Sequence, residues 1–148
     1  MFEFAGGEQA FLAFATAFHE RCLEDPELNH PFSQHSGPGH VDHLARYWAE
    51  VFGGPTHYSE SLGGHSGMLG IHAGQGASED LSVRFVACFM HAADDADLPG
   101  DRDFRAALRS YIEWAVKEVD GYQPPGSLAP AGLPMPRWGW SGQESGAA

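Results

Sequence analysis

Hydrophobic residues recur at three- and four-residue steps in four stretches of this 148-residue chain, and each stretch predicts an amphipathic helix. In the first, Phe11, Phe14, Ala15, Phe18 and Cys22 share a face; the run follows Gly6-Gly7 and stops at Asp25-Pro26. Leu44, Tyr47, Trp48, Val51 and Phe52 form a second stripe, closed by Gly53-Gly54-Pro55. A third helix is expected from about Ser78, whose hydroxyl suits an N-cap while Glu79 and Asp80 favour the positive helix end. Its inner face is Leu81, Phe85, Cys88, Phe89 and Ala92. The fourth runs from about Asp101 through Phe104, Leu108, Tyr111, Ile112, Ala115 and Val119 to a stop at Gly121. No segment alternates in the manner of a strand, so the fold class is all-α.

Two segments fall outside this pattern. Residues 53–71 hold six glycines and little regular patterning, and so long a connection is often functional. From Gly121 onward the chain carries five prolines and several glycines, which predicts an irregular tail that Trp138 and Trp140 could pin to the body. The expected organisation is one domain over 1–122 and an irregular extension over 123–148.

Composition narrows the class. A 16.0 kDa chain that is 43% hydrophobic suffices for one packed core. No apolar run nears the roughly 20 residues of a membrane span, and the N-terminus lacks a basic region followed by an apolar stretch. The expectation is a soluble, cytoplasmic protein. A formal charge of −12 repels phosphate backbones and anionic lipid, which disfavours nucleic acid and membrane partners. Cys22 and Cys88 are too few for a disulfide framework and read as reduced core thiols.

The nine histidines are unusual, and one of them has an unusual setting. His72 sits among small and apolar neighbours in Gly67-Met68-Leu69-Gly70-Ile71-His72-Ala73-Gly74, with no second ligand nearby in sequence. Zinc gathers three or four protein ligands, often in close pairs. A lone imidazole facing an apolar cavity suits heme iron, because the porphyrin supplies the other four nitrogens. On the residues alone, a hydrogen-bonded structural histidine is the competing reading.

An ordered set of landmarks adds to this. Gly6-Gly7, Phe18-His19, Asp25-Pro26, the string Gly53-Gly54-Pro55-Thr56-His57-Tyr58-Ser59-Glu60, Gly64-His65 and His72 together resemble group II truncated hemoglobins over roughly residues 4–120. The resemblance implies a two-over-two truncated globin fold, heme b as cofactor, and His72 as the proximal iron ligand. It matches Phe32 to an aromatic residue packing on the heme face, and His19, His40 and Leu44 to distal positions. Phe85 matches a site that is usually Trp in the family, as His19 matches one that is usually Tyr. Tyr58 matches a residue that reaches a heme propionate, and His43 is placed to do the same. Trp48 is assigned to the heme-binding set as well.

The chain departs from that family in its cations. Arginines that precede the proximal histidine and pair with propionates are replaced here by Met68-Leu69-Gly70-Ile71, and His-Ala-Pro-Phe reads His72-Ala73-Gly74-Gln75. Anchoring would then rest on Tyr58, His43 and Arg46. Three functions follow as expectations. One is binding of oxygen or another diatomic gas (O2, NO or CO), for transport or with NO dioxygenation, supported by a reductase. A second is peroxidase-like or oxidative chemistry on a small-molecule substrate, with His19 and His40 as proton-handling groups. The third is a bis-histidine or heme-free binding module. A monomer and a homodimer both fit the sequence.

Overall fold

A computed structural model of the chain describes residues 1–29, 39–72, 79–122, 124 and 126–144, with the backbone alone described at 70–72 and 79. Its helices are α1 (Phe2–Ala5), α2 (Gly7–Glu24), α3 (His40–Val51), α4 (His57–Ser61), α5 (Gly64–His72), α6 (Glu79–Asp95) and α7 (Arg102–Asp120). The four long ones are those the periodicity predicts. Their ends follow local chemistry: the Asp101 carboxylate accepts a hydrogen bond from Phe104 N at 2.9 Å and caps α7. Asp25 takes the amides of Glu27 and Leu28 at 2.8 and 3.1 Å and turns the chain after α2. Ser78, the expected cap of α6, lies outside the described residues.

Helix α2 packs on both α3 and α6, and α6 packs on α7, giving two layers of two helices. The contact is aromatic. Phe14 stacks on Trp48 at 5.0 Å between ring centroids and meets Phe89 edge-on at 4.8 Å. Phe18 stands edge-on to Trp48 at 5.1 Å and to Phe85 at 4.9 Å. Cys22 and Cys88 are buried thiols on α2 and α6, and burial followed by their mutual proximity pushes the Cys22 thiol up, keeping it protonated.

The glycine-rich stretch differs from the irregular connection expected. It holds two short helices, α4 and α5, separated at Gly63 and Gly64, whose φ values of 91° and 62° suit glycine. A different constraint acts at Gly54. A Cβ there would lie 2.7 Å from Ala49 O and from the ring of Phe2, so only glycine lets the chain leave α3 beneath α1.

The described part of the tail is bound to the body. Trp138 is buried against Tyr111 at 5.6 Å and Trp114 at 5.4 Å, while Trp140 meets Phe4 at 4.9 Å. The one regular piece among its described residues is an antiparallel pair, β1 (Trp138–Gly139) with β2 (Gly142–Gln143), in which Trp138 faces Gln143. Among the described residues no helix is long and apolar enough to cross a membrane.

Phe14 has no solvent exposure and touches both layers. Phe14→Ala should cost about 3–5 kcal/mol in chemical denaturation, the range for truncating a buried aromatic residue. A loss below 1 kcal/mol would mean that the layers do not depend on this contact.

Candidate functional site

The aromatic contact between α2 and α3 fixes the residues next to it. His19 follows Phe18 on α2, and His40 opens α3 on the same side of that helix as Leu44 and Tyr47. The two imidazoles face each other with centroids 5.3 Å apart and planes tilted by 58°. Nδ1 of His19 and Nε2 of His40 are both shut off from solvent. Leu44 and Phe85 are half-buried and pack against the hydrophobic core. His43 is exposed, with its Nε2 lying over Gly39. Of the expected positions, His19 on α2 and His40 on α3 are brought together, while Leu44 on α3 and Phe85 on α6 are half-buried against the hydrophobic core.

Other expected residues stand elsewhere. Trp48 is inside the core, enclosed by Phe14, Phe18 and Phe89. Arg46 is on the side of α3 opposite Leu44, where it pairs with Asp42 at 2.9 Å and lines a surface groove with Leu12, Pro55 and His57. Its guanidinium lies at the surface in that pair, on the side of α3 away from His40 and Leu44. Tyr58 is buried edge-on to Tyr47 at 5.0 Å, and burial pushes its phenol up. Phe32 and the segment around it lie outside the described residues, as does the side chain of His72. The backbone of His72 closes α5.

Two buried polar clusters hold α4 and α5 in place, and neither is evident from sequence spacing. Glu50, 1% exposed, accepts the Ser59 amide at 2.9 Å and the Ser59 hydroxyl, which ties the end of α3 to α4. His65, 4% exposed, bridges α3 and α7: its Nδ1 is 2.7 Å from the Tyr47 hydroxyl, and its Nε2 bonds the Glu118 carboxylate. Ser66 next to it accepts the Leu133 amide from the tail at 2.8 Å. Helix α5, which ends at His72, is thus set by contacts from α3, α7 and the tail. The Gly64-His65 landmark marks the position of His65, but Glu118 is 53 residues away and no local pattern joins them.

The chain's sequence matches the family model described as bacterial-like globin over residues 1–116. The chain belongs to that family. Among solved structures, this globin is similar to the hemoglobin of the thermophilic phototrophic bacterium Chloroflexus aurantiacus, with 27% identity and a TM-score of 0.69 over 80% of this chain and 94% of that one. It is similar to a thermostable hemoglobin from the actinobacterium Thermobifida fusca at 26% identity and a TM-score of 0.66, over 80% of this chain and 94% of that one. The group II truncated hemoglobin of Bacillus anthracis shares the fold, with a TM-score of 0.63 at 21% identity over 84% of this chain and 92% of that one. No curated protein matches the sequence. The coarse class is therefore a heme-binding globin of truncated-hemoglobin fold, a divergent member of its kind.

Glu50→Ala should leave the Ser59 amide and hydroxyl without their buried acceptor. The expected cost is about 1–3 kcal/mol, with loss of hydrogen-exchange protection at Ser59. Retained protection in the variant would show that α4 is held by something other than this carboxylate.

Proposed function

We propose that this globin holds heme b with His72 as the proximal iron ligand and binds oxygen or another diatomic gas on the side of His19 and His40. The observation that carries this reading is the pair of imidazoles, one from α2 and one from α3, facing each other with ring nitrogens withdrawn from water. The donor set fits an iron porphyrin: apolar packing surfaces, one histidine on the short helix α5, and a second imidazole cluster supplied by other helices. Bound heme would supply the iron coordination site at which a gas is held. His19 and His40 can each donate a hydrogen bond as neutral imidazoles, which suits a ligand with a partly negative outer atom. Retention of the heme would then rest on apolar contacts and Tyr58 more than on arginines, because Arg46 is engaged with Asp42 and Arg84 with Asp25 and Asp80. NO dioxygenation, a reductase partner and a cytoplasmic setting belong to the same proposal.

A second reading, peroxidase-like chemistry, is favoured by the same imidazole pair. One ring can take a proton and return it while its neighbour holds the other proton-bearing group in place, a role worth about 10²- to 10⁴-fold in rate.

Replacing the proximal ligand tests the first reading. His72→Ala should abolish saturable heme binding or shift the ferrous-CO spectrum away from the histidine-ligated form, and stoichiometric heme with an unchanged spectrum would overturn the assignment. His19→Ala or His40→Ala should speed oxygen dissociation at least ten-fold, corresponding to a hydrogen bond of about 1.4 kcal/mol. The peroxidase reading instead requires that the same substitutions suppress peroxide turnover. A ferric protein that is low-spin without added ligand, and turns high-spin in one of them, would mark a bis-histidine state.

A further inference from the structure

We propose that Tyr47 is a redox-active tyrosine, giving its electron to a one-electron oxidant while its phenolic proton passes to Nδ1 of His65. The hydroxyl and Nδ1 are 2.7 Å apart, and the other nitrogen of the same ring bonds Glu118. A carboxylate only accepts, so when the ring is in its neutral form Nε2 carries the hydrogen. That leaves Nδ1 as the acceptor and the Tyr47 hydroxyl as the donor, which aligns the proton with a base before any electron leaves.

Burial makes this alignment consequential. Tyr47 is 4% exposed, and desolvation, with the nearby Tyr111 and Glu118, keeps its phenol from ionising under ordinary conditions. Removing an electron alone would leave a cation in a dry core, which is costly. With the proton moved, Tyr47 becomes a neutral phenoxyl radical and His65 an imidazolium facing the Glu118 carboxylate, so the new positive charge has its partner in place. The balance is one electron to the oxidant and one proton from the Tyr47 oxygen to His65.

The oxidant class is a hydroperoxide acting through bound iron porphyrin. Reduction of one hydroperoxide to water and a hydroxyl product takes two electrons and two protons: Tyr47 would give one electron, the bound iron porphyrin the other, and solvent both protons. The proposal rests on the heme reading for this source alone.

The surroundings extend the path. Tyr111 is one of the groups that push the Tyr47 phenol up, and its ring is 5.6 Å from Trp138 and 6.4 Å from Trp114. Trp114, half-buried on α7, also lies over His65 at 6.4 Å with planes 21° apart. A purely structural bridge between α3, α5 and α7 would need the hydrogen bonds but not this run of oxidisable rings towards the surface.

Two oxidation routes on the full chain test the proposal. Heme-loaded protein is mixed with hydrogen peroxide and freeze-quenched, and a parallel sample is photo-oxidised with a ruthenium polypyridyl complex and a cobalt(III) acceptor. Both are read by high-field electron paramagnetic resonance. The expected result is a tyrosyl signal with an exchangeable proton coupling from the His65 hydrogen bond, reduced at least ten-fold in Tyr47→Phe. In His65→Leu, whose side chain has no hydrogen-bonding group, the coupling should vanish and the yield fall at least ten-fold. A tyrosyl signal equally strong in Tyr47→Phe, arising from Tyr58, Tyr111 or Tyr122, would overturn the proposal. So would a wild-type Tyr47 signal without the exchangeable coupling, a measurement that does not depend on any variant folding. Loss of the peroxide signal with the photochemical one intact would count against heme binding and leave the Tyr47–His65 pair supported.

Discussion

The packing of α2 between α3 and α6 is the constraint on which the rest of the molecule depends. Phe14 and Phe18 each touch Trp48 on one side and an α6 aromatic residue on the other. Aromatic contacts of this kind fix helix rotation as well as separation, because edge and face are not interchangeable. With α2 and α3 so oriented, residues next in sequence to the contact have little freedom. His19 follows Phe18 and His40 lies on the Leu44–Tyr47 side of α3, which is why two imidazoles from separate helices meet at 5.3 Å. The proposed gas-binding chemistry is a consequence of core packing.

A second layer of organisation is polar and acts on the short helices. α4 and α5 have five and nine residues, too short to be stable by helix propensity alone. Glu50 supplies buried acceptors to one, and the Tyr47–His65–Glu118 bridge holds the other. Buried groups of this kind are costly when a partner is missing, so each of these clusters commits its helix to one position. The tail adds to this through Ser66 and through Trp138, packed on Tyr111 and Trp114. α5 is therefore braced from three directions ahead of the residue proposed to hold the iron.

How far the fold was legible in the sequence follows from the same division. The four long helices show in their periodicity because each buries one continuous face, and Asp101 and Asp25 mark boundaries by local hydrogen bonding. α4 and α5 leave no such trace: their stability comes from Glu50, Tyr47 and Glu118 on other elements, and a glycine-rich segment reads as irregular. Among candidate site residues, His19 and His40 meet because each adjoins an apolar stripe, whereas Leu44, Trp48 and Phe85 belong to the stripes themselves. A stripe residue can face either the core or a ligand, and Arg46 is one of several cations held by a neighbouring carboxylate in a chain of strong acidic excess. His65 stands out in sequence only as part of a family landmark, since its partner comes from the last long helix.

Heme retention is the property most exposed to the loss of cations near His72. Equilibrium titration of the chain with hemin, followed in the Soret region, tests it. The expected result is a saturable transition at one heme per chain and, after reduction under CO, the spectrum of a histidine-ligated complex. Binding that rises without saturation, or a stoichiometric complex lacking that spectrum, would contradict it.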